Sequence, residues 1–165
     1  MNKDIKRFFY FAYGMNTNQE EMNFRCRDSI YVGRAFVNNA RLTFRRVADF
    51  EHGEGYKLHG GLWLISEADL GQLDILEGYP SLYTRHPIKC RLYSYNQYQF
   101  KCFNNSEHWA IIYQMNSTDY REPSDTYYDL VKQGYKQHRL PLGQLAKAKQ
   151  DSIQKQNKFV DINNY

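Results

Sequence analysis

The hydrophobic residues of the chain fall into short runs, which polar segments containing glycine or asparagine interrupt. Short apolar or alternating runs bounded in this way are typical of strands, whereas apolar residues three or four positions apart are typical of helices. The pattern predicts a mixed sheet of about six strands with a few peripheral helices, which is an α+β fold. The segments assigned to strands are residues 8–13, 30–37, 41–47, 60–65, 83–95, 98–103 and 109–115.

Four further segments have helical character, and three of them begin at a good N-cap residue. Ser66 is followed three positions later by Asp69, which is the pattern of a capping box. The helical segments are residues 19–27 after Thr17 or Asn18 as N-cap, 66–77, 124–137 after Ser124, and the basic segment 144–156. The remaining connections are a hairpin turn at 38–40, a surface loop at 48–59, a turn at 96–97, an irregular segment at 116–123 and a frayed tail at 157–165.

The helix that ends at Glu77 holds the strongest candidate for a chemical group. Leu70, Leu73 and Leu76 recur at helical spacing, so they are predicted to form one buried face with Glu77 beside its edge. Gly78 then ends the helix. Apolar neighbours and an abrupt chain reversal raise the pKa of a carboxylate toward the range of proton transfer. The alternative is that Glu77 is a surface residue at a helix end.

The loop after the first predicted strand is a second candidate. A strand, the glycine-containing segment 14–18 and the start of a helix follow one another here. Backbone N–H groups in such a loop point outward without partners, so they suit an anion or an oxyanion. An ordinary turn between a strand and a helix gives the same pattern. The 15 tyrosines of the chain suit a polar pocket as well as an interaction surface.

Length and charge restrict the class of protein. The 165 residues predict a single domain spanning 1–165. The net charge of +4 is modest and mostly dispersed, which does not favour nucleic acid as a partner. No window suits a transmembrane helix and the first residues do not resemble a secretory signal, so we expect a cytoplasmic protein without membrane partners. Cys26, Cys90 and Cys102 are an odd number without metal-ligand spacing, so reduced structural thiols and no metal site are expected.

Four pieces of the sequence, in this order, resemble motifs of the γ-glutamylcyclotransferase-like superfamily, which includes γ-glutamylcyclotransferases, γ-glutamylamine cyclotransferases and AIG2-like proteins. The pieces are Tyr10-Phe11-Ala12-Tyr13-Gly14-Met15-Asn16, similar to the substrate loop; Leu73-Asp74-Ile75-Leu76-Glu77-Gly78 with Tyr83 after it, similar to the segment of the catalytic glutamate; Pro123-Ser124-Asp125-Thr126-Tyr127; and Gly134 with Leu140-Pro141. The four pieces lie within about residues 8–145. The basic helix and tail at 144–165 carry no such motif beyond residue 145.

The resemblance implies a small, mixed β-barrel with helices around it and an enzyme of the acyltransferase or lyase type. The α-amino group of a γ-glutamyl substrate attacks its own γ-carbonyl, and 5-oxoproline and a free amine are released. Glu77 is the implied general acid and base, and no cofactor or metal is implied. The implied substrate-binding residues are Tyr10, Phe11, Ala12, Tyr13, Gly14, Met15, Asn16, Tyr83 and Tyr127.

One departure from the family pattern affects the choice between functions. Met15 stands where the family usually has a serine, so a hydroxyl donor is replaced by a thioether. A non-catalytic domain that binds a small ligand in the same pocket is therefore the main alternative. A nucleic-acid-associated protein is a third reading, based on the basic residues at 41–46 and on the basic last helix. The leaving amine and the oligomeric state are left open.

Overall fold

The computed structural model describes residues 6–95 and 106–162. In chain order the elements are β1 (Arg7–Ala12), a single 3-10 turn (Met15–Thr17), α1 (Gln19–Arg25), β2 (Ile30–Arg45), β3 (Val47–Ser66), α2 (Glu67–Glu77), β4 (Tyr83–Tyr95), β5 (Glu107–Met115), α3 (Asp125–Gln137) and α4 (Leu142–Ile162). The predicted strand at 98–103 and the predicted turn at 96–97 lie outside the described residues.

The described strands close into a barrel in the order β1-β3-β2-β4-β5. Neighbouring strands are antiparallel except at the closure, where β1 runs parallel to β5 and Tyr10 pairs with Ile111. The small mixed barrel with peripheral helices that the family resemblance implied is therefore confirmed. Closure leaves β1 without a free edge and places it in the middle of the wall.

Two predicted connections, the turn at 38–40 and the loop at 48–59, are wrong, whereas the strand predicted at 41–47 is confirmed as far as Arg45. Residues 38–40 are no turn, because β2 continues to Arg45 and pairs with β3 on both sides of them. The register shifts at the asparagines instead: Asn39, with a φ of 55°, and residues 53–56 of β3 lie between the pairs Asn38–Lys57 and Ala40–His52. The actual reversal is at Arg46, with a φ of 74°, and the predicted surface loop at 48–59 belongs to strand β3.

Side chains of β1 alternate between two hydrophobic clusters, as expected for a strand that is buried on both faces. The first cluster also includes residues of α3 and α4, and the second includes residues of α1 and α2. Large members of the first are Phe11, Phe44, Leu58, Leu62, Leu92, Ile112, Tyr135 and Leu145, and of the second Tyr10, Met22, Trp63, Ile65, Leu70 and Leu73.

Helix α2 begins and ends as predicted, but one of its leucines does not lie in the core. Ser66 and Asp69 form the capping box, and Gly78 takes the left-handed conformation that ends the helix. Leu70 and Leu73 are buried, whereas Leu76 is 54% exposed, so the predicted buried face is wrong at this position. The last turn of α2 extends past the barrel wall, and Leu76 borders a cavity there.

The last two helices cover one side of the barrel. Ser124 caps α3 as predicted. Helix α4 begins at Leu142 and continues to Ile162, so the prediction of a shorter helix at 144–156 followed by a frayed tail is wrong through residue 162. The Ser152 hydroxyl in α4 accepts a 2.9 Å hydrogen bond from the backbone N–H of Phe44 in β2. This contact attaches the long helix to the barrel.

Two of the three cysteines lie among the described residues. Cys26 and Cys90 are free, buried thiols, and burial raises the pKa of each to about 12. Cys102 lies outside the described residues. Across residues 6–95 and 106–162 no group of acidic, histidine or cysteine side chains could hold a metal ion, and no helix is long and apolar enough to cross a membrane.

Candidate active site

A cavity of about 660 Å³ opens where several elements meet at one end of the barrel. The end of β1, the 3-10 turn, the start of β3, the C-terminus of α2, the start of β4, the end of β5 and the start of α3 all contribute to it. Its lining is formed by Tyr10, Tyr13, Gly14, Met15, Asn16, Arg25, Val47, Ala48, Leu76, Glu77, Ser81, Leu82, Tyr83, Tyr113, Met115, Asn116, Ser117 and Tyr127.

Glu77 is the carboxylate of this cavity. It is the last residue of α2, and its partly buried side chain lies among apolar and tyrosine side chains. Burial raises the pKa of Glu77 to about 7, and the nearby Arg25 guanidinium opposes the shift only in part. A carboxyl group with a pKa in this range can accept a proton and return it at neutral pH.

Two hydrogen bonds hold the end of α2, and so Glu77, in place. The carboxylate of Asp74, one turn before Glu77, accepts a 2.6 Å hydrogen bond from the Tyr113 hydroxyl. It also forms an ion pair with Arg85 at 2.6 Å. Tyr113 belongs to β5 and Arg85 to β4, so both strands fix the last turn of the helix. Tyr13 reaches the same strand, since its hydroxyl donates a 2.5 Å hydrogen bond to the carbonyl of Tyr113.

Gly14 allows the first loop to approach the β2–β3 hairpin. A Cβ atom at this position would lie 2.8 Å from the Cβ of Ala48 and 3.3 Å from the Tyr127 hydroxyl. These separations are shorter than van der Waals contact, so a side chain here would displace the wall of the cavity. The requirement for glycine therefore comes from close packing of three segments at the cavity floor.

Tyr127 joins the hairpin, the first loop and α3. Its hydroxyl accepts a 3.0 Å hydrogen bond from the backbone N–H of Ala48, and it lies beside the first loop, where a Cβ atom at Gly14 would come within 3.3 Å of it. Burial raises the pKa of Tyr127 to about 12, and the charge of Glu77 adds to the shift, which places the two side chains close together. Since a hydroxyl that accepts a hydrogen bond keeps its own proton to donate, Tyr127 can donate into the cavity.

Asn16 links Tyr10 to Arg25. Its amide nitrogen donates a 2.9 Å hydrogen bond to the Tyr10 hydroxyl, and its carbonyl oxygen accepts a 2.7 Å hydrogen bond from Arg25. Arg25 also pairs with Glu21 at 3.1 Å along the same helix. Burial raises the pKa of Tyr10, as does the negative charge of Glu77, so this hydroxyl stays protonated beside the carboxylate.

The outer wall of the cavity depends on a buried ion pair. Asp49 accepts a 2.7 Å hydrogen bond from Arg45 and a 3.0 Å hydrogen bond from the backbone N–H of Met115. Arg45 also donates to the carbonyl of Thr118. The β2–β3 hairpin thereby holds the segment after β5, which includes the lining residue Ser117, against the opening.

Most of the residues selected from the sequence meet at this cavity, but two do not. Glu77, Tyr10, Tyr13, Gly14, Met15, Asn16, Tyr83 and Tyr127 line it. Phe11 and Ala12 are completely buried in the two hydrophobic clusters, so they support the loop without lining the cavity. Phe11 points to the first cluster, on the face of β1 opposite Tyr10, whereas Ala12 lies on the same face as Tyr10 and packs in the second cluster.

The sequence analysis missed several lining residues, and Arg25 is the most consequential. It is the last residue of α1, nine positions after Asn16, and no sequence motif marks it. Tyr113, Met115, Leu82 and Ala48 come from strands and turns that carry no recognisable motif. The histidines at 59, 86 and 108 do not line the cavity.

Comparisons with known proteins agree with this arrangement. A family model described as gamma-glutamyl cyclotransferase, AIG2-like, matches residues 10–139. A solved gamma-glutamyl cyclotransferase has a TM-score of 0.72 and 24% identity, over 87% of this chain and 87% of that chain. The uncharacterized protein loc79017 from Homo sapiens has a TM-score of 0.71 and 24% identity, over 87% and 86% of the chains.

A more distant relative is an AIG2-like protein from Mus musculus, with a TM-score of 0.52 and 15% identity over 73% of this chain and 82% of that chain. No curated protein matches the chain by sequence. The solved structures show a shared fold, and the family match spans the first loop, α2 and all of α3. The chain therefore belongs to the gamma-glutamyl cyclotransferase, AIG2-like family.

Proposed function

We propose that this protein is a γ-glutamyl cyclotransferase, which converts a γ-glutamyl amine or amino acid into 5-oxoproline and a free amine. The observation that supports it most is the Glu77 carboxyl group, with its pKa raised to about 7, in the same cavity as the first loop. This reaction needs one group that takes up a proton and gives it back. Glu77 is the only carboxylate among the described lining residues.

The first step is activation of the substrate's own nucleophile. The α-ammonium group of the γ-glutamyl part transfers a proton to the Glu77 carboxylate. The free α-amine then attacks the γ-carbonyl carbon, a new C–N bond closes the five-membered ring, and the carbonyl oxygen takes the negative charge. Because nucleophile and electrophile belong to one molecule, the protein's main task is to hold the substrate folded.

The negative oxygen needs hydrogen-bond donors at the moment it forms. We assign this role to backbone N–H groups of Gly14 and Asn16 in the first loop, helped by the Tyr127 hydroxyl. The hydroxyl of the family's usual serine is absent here, so the donors are those of the backbone and the tyrosines.

Collapse of the intermediate breaks the bond to the leaving nitrogen. Glu77 returns its proton to that nitrogen, the carbonyl re-forms and the bond to the amine breaks. The ring nitrogen then gives up its second proton, which passes through Glu77 to the released amine, so the products are a lactam with a neutral nitrogen and an ammonium ion. Arg25 is suited to the α-carboxylate of the γ-glutamyl part, since it lines the cavity and its guanidinium has five donors. Its bonds to Asn16 and Glu21 hold it in a fixed orientation.

The test is release of 5-oxoproline from γ-glutamyl amino acids and γ-glutamylamines by wild type and by Glu77→Gln. Wild type should form the product, and the variant should lose about a hundredfold or more in kcat/KM, the usual effect of removing a general acid and base. Glu67→Gln is the matched control, since this exposed glutamate lies in the first turn of the same helix. Equal activity of Glu77→Gln and wild type would contradict the mechanism.

A second candidate is a domain that binds a small ligand in this cavity without turning it over. The observation that favours it is Met15 in place of the family's serine. In that case a γ-glutamyl compound would raise the melting temperature of the protein, and no 5-oxoproline would form. Thermal unfolding with the same panel of compounds separates the two functions.

A further inference from the structure

Much of the cavity lining carries no charge. Met15, Val47, Leu76, Leu82 and Met115 contribute apolar side chains, and the exposed Ser81, Asn116 and Ser117 contribute neutral polar ones. Leu76 and Leu82 line the cavity and are also open to solvent, with 54% and 65% of their surface exposed. Large aliphatic side chains so placed gain stability when an apolar group covers them.

The charges of the cavity are few. Among the described lining residues, Arg25 and Glu77 alone carry ionic groups. The nearby Asp74 pairs with Arg85, and Asp49 pairs with Arg45, so neither acid offers a free charge to a ligand. A second ammonium group in the substrate would thus enter an apolar environment without a partner, which is costly.

Both lining charges have a role in the proposed function, on which this inference rests. Arg25 serves the α-carboxylate of the γ-glutamyl part and Glu77 serves its α-amine. Every γ-glutamyl compound has these two groups, so neither charge is left for the amine that is released. The part of the substrate beyond the γ-carbonyl then meets the apolar wall.

We infer that the preferred leaving amine carries an apolar alkyl or aryl side chain and no cationic group, and that Leu76 and Leu82 determine this preference. A leaving group of this kind covers the two exposed leucines. A polyamine or a lysine side chain leaves an unpaired ammonium group against them. The walls set the specificity, whereas the γ-glutamyl part is held in the same way for all substrates.

The sharpest test compares leaving groups of equal length. The γ-glutamyl amides of n-pentylamine and of 1,4-diaminobutane differ by a methyl group in place of an ammonium group. We expect kcat/KM to be at least tenfold higher for the pentylamide. Among the uncharged amides, kcat/KM should rise from the methylamide to the pentylamide. One added methylene in an apolar pocket is worth about 10-fold where it is fully enclosed.

Variants locate the preference in the structure. Leu76→Ala and Leu82→Ala should each reduce the ratio of kcat/KM between the pentylamide and the methylamide several-fold. Ile75→Ala is the matched control, because Ile75 is also an exposed aliphatic residue of α2 but does not line the cavity. Leu82→Glu should shift the preference toward the diaminobutane amide, since it supplies the missing carboxylate.

The outcomes separate this inference from the function beneath it. Release of 5-oxoproline at similar rates from the charged and uncharged amides would keep the cyclotransferase function and overturn the inference. An unchanged ratio in both leucine variants would also overturn it. If no amide of the series released 5-oxoproline, the proposed function would fail and the inference would fail with it.

Discussion

The amide nitrogen of Asn16 donates a 2.9 Å hydrogen bond to the hydroxyl of Tyr10, so the first loop is bonded to the strand that precedes it. The carbonyl oxygen of the same side chain accepts from Arg25, which brings α1 into the connection. Asn16 is 4% exposed, so neither bond competes with water. One buried side chain thus orients both a cavity hydroxyl and the cavity cation.

Replacement of Asn16 should therefore affect catalysis more than stability. Asn16→Ala removes both hydrogen bonds, and we expect kcat/KM for a γ-glutamylamine to fall by about 10-fold to 100-fold because the cavity groups lose their orientation. The measurement is steady-state kinetics together with urea unfolding. Asn23→Ala, on the exposed side of α1, is the control. An Asn16→Ala enzyme with normal kinetics would show that this connection does not position the site.

The raised pKa of Glu77 predicts how activity depends on pH. The unprotonated carboxylate accepts the first proton, so kcat/KM should rise with pH, with a midpoint near the pKa of about 7. Arg25 lowers this pKa, so Arg25→Gln should move the midpoint to higher pH and also raise KM about 10-fold. Arg27→Gln, an exposed neighbour outside the cavity, should leave both unchanged. Identical pH profiles for wild type and Arg25→Gln would contradict the assignment.

The same shift predicts that Glu77 destabilises the folded protein at neutral pH. Its folded pKa of about 7 lies above the ordinary value of 4.5, so the folded state binds the proton more tightly. Stability is then lost as pH rises between these two values. Glu77→Gln should be more stable than wild type at pH 8 by roughly 1–2 kcal/mol, after allowance for solvent screening, and equal below about pH 4.5. Urea unfolding at both pH values measures the difference.

Glu51 should contribute to stability in the opposite pH sense. Burial raises its pKa, but hydrogen bonds from Tyr120, Lys155 and Arg41 outweigh this and lower the pKa to about 2. The stabilisation is complete above about pH 4.5 and is lost as pH falls toward 2. Glu51→Gln should cost about 1–3 kcal/mol at pH 7 and almost nothing near pH 2. Glu54→Gln, exposed on the same strand, should cost little at either pH.

Gly134 should tolerate no side chain. A Cβ atom there would lie 2.5 Å from the backbone nitrogen of Asn18 and 2.5 Å from the Thr17 hydroxyl, so α3 would have to move away from the first loop. Gly134→Ala should destabilise the protein by about 1–3 kcal/mol and reduce activity, because Tyr127 lies on the same helix. Gly71→Ala in α2, where a Cβ meets open space, should stabilise by about 0.5–1 kcal/mol. Thermal unfolding of the pair is the measurement, and equal melting temperatures would contradict the packing argument.

The sequence by itself determined those features that depend on neighbouring residues. The capping box of Ser66 and Asp69, the end of α2 at Gly78 and the N-cap of α3 at Ser124 were all predicted correctly. Each is a local hydrogen-bond pattern within a few residues, so short motifs suffice to recognise it. The family motifs also contained nine of the residues that line the cavity, with Glu77 among them.

The tertiary structure decided everything that depends on distant partners. Asn38 and Asn39 have the composition of a turn, yet the pairing of β2 with β3 continues past them and places the reversal at Arg46. Leu76 has the spacing of a core residue, yet the last turn of α2 passes the edge of the barrel and leaves it exposed.

The cavity shows the same division. Arg25, Ala48 and Met115 reach it from α1, the hairpin and the end of β5, which are far from one another in sequence. The pKa of Glu77 also depends on this assembly, because burial by several elements raises it and Arg25 opposes the shift. Local propensity fixes where a helix begins and ends, whereas the environment of a side chain is set by the elements that close around it.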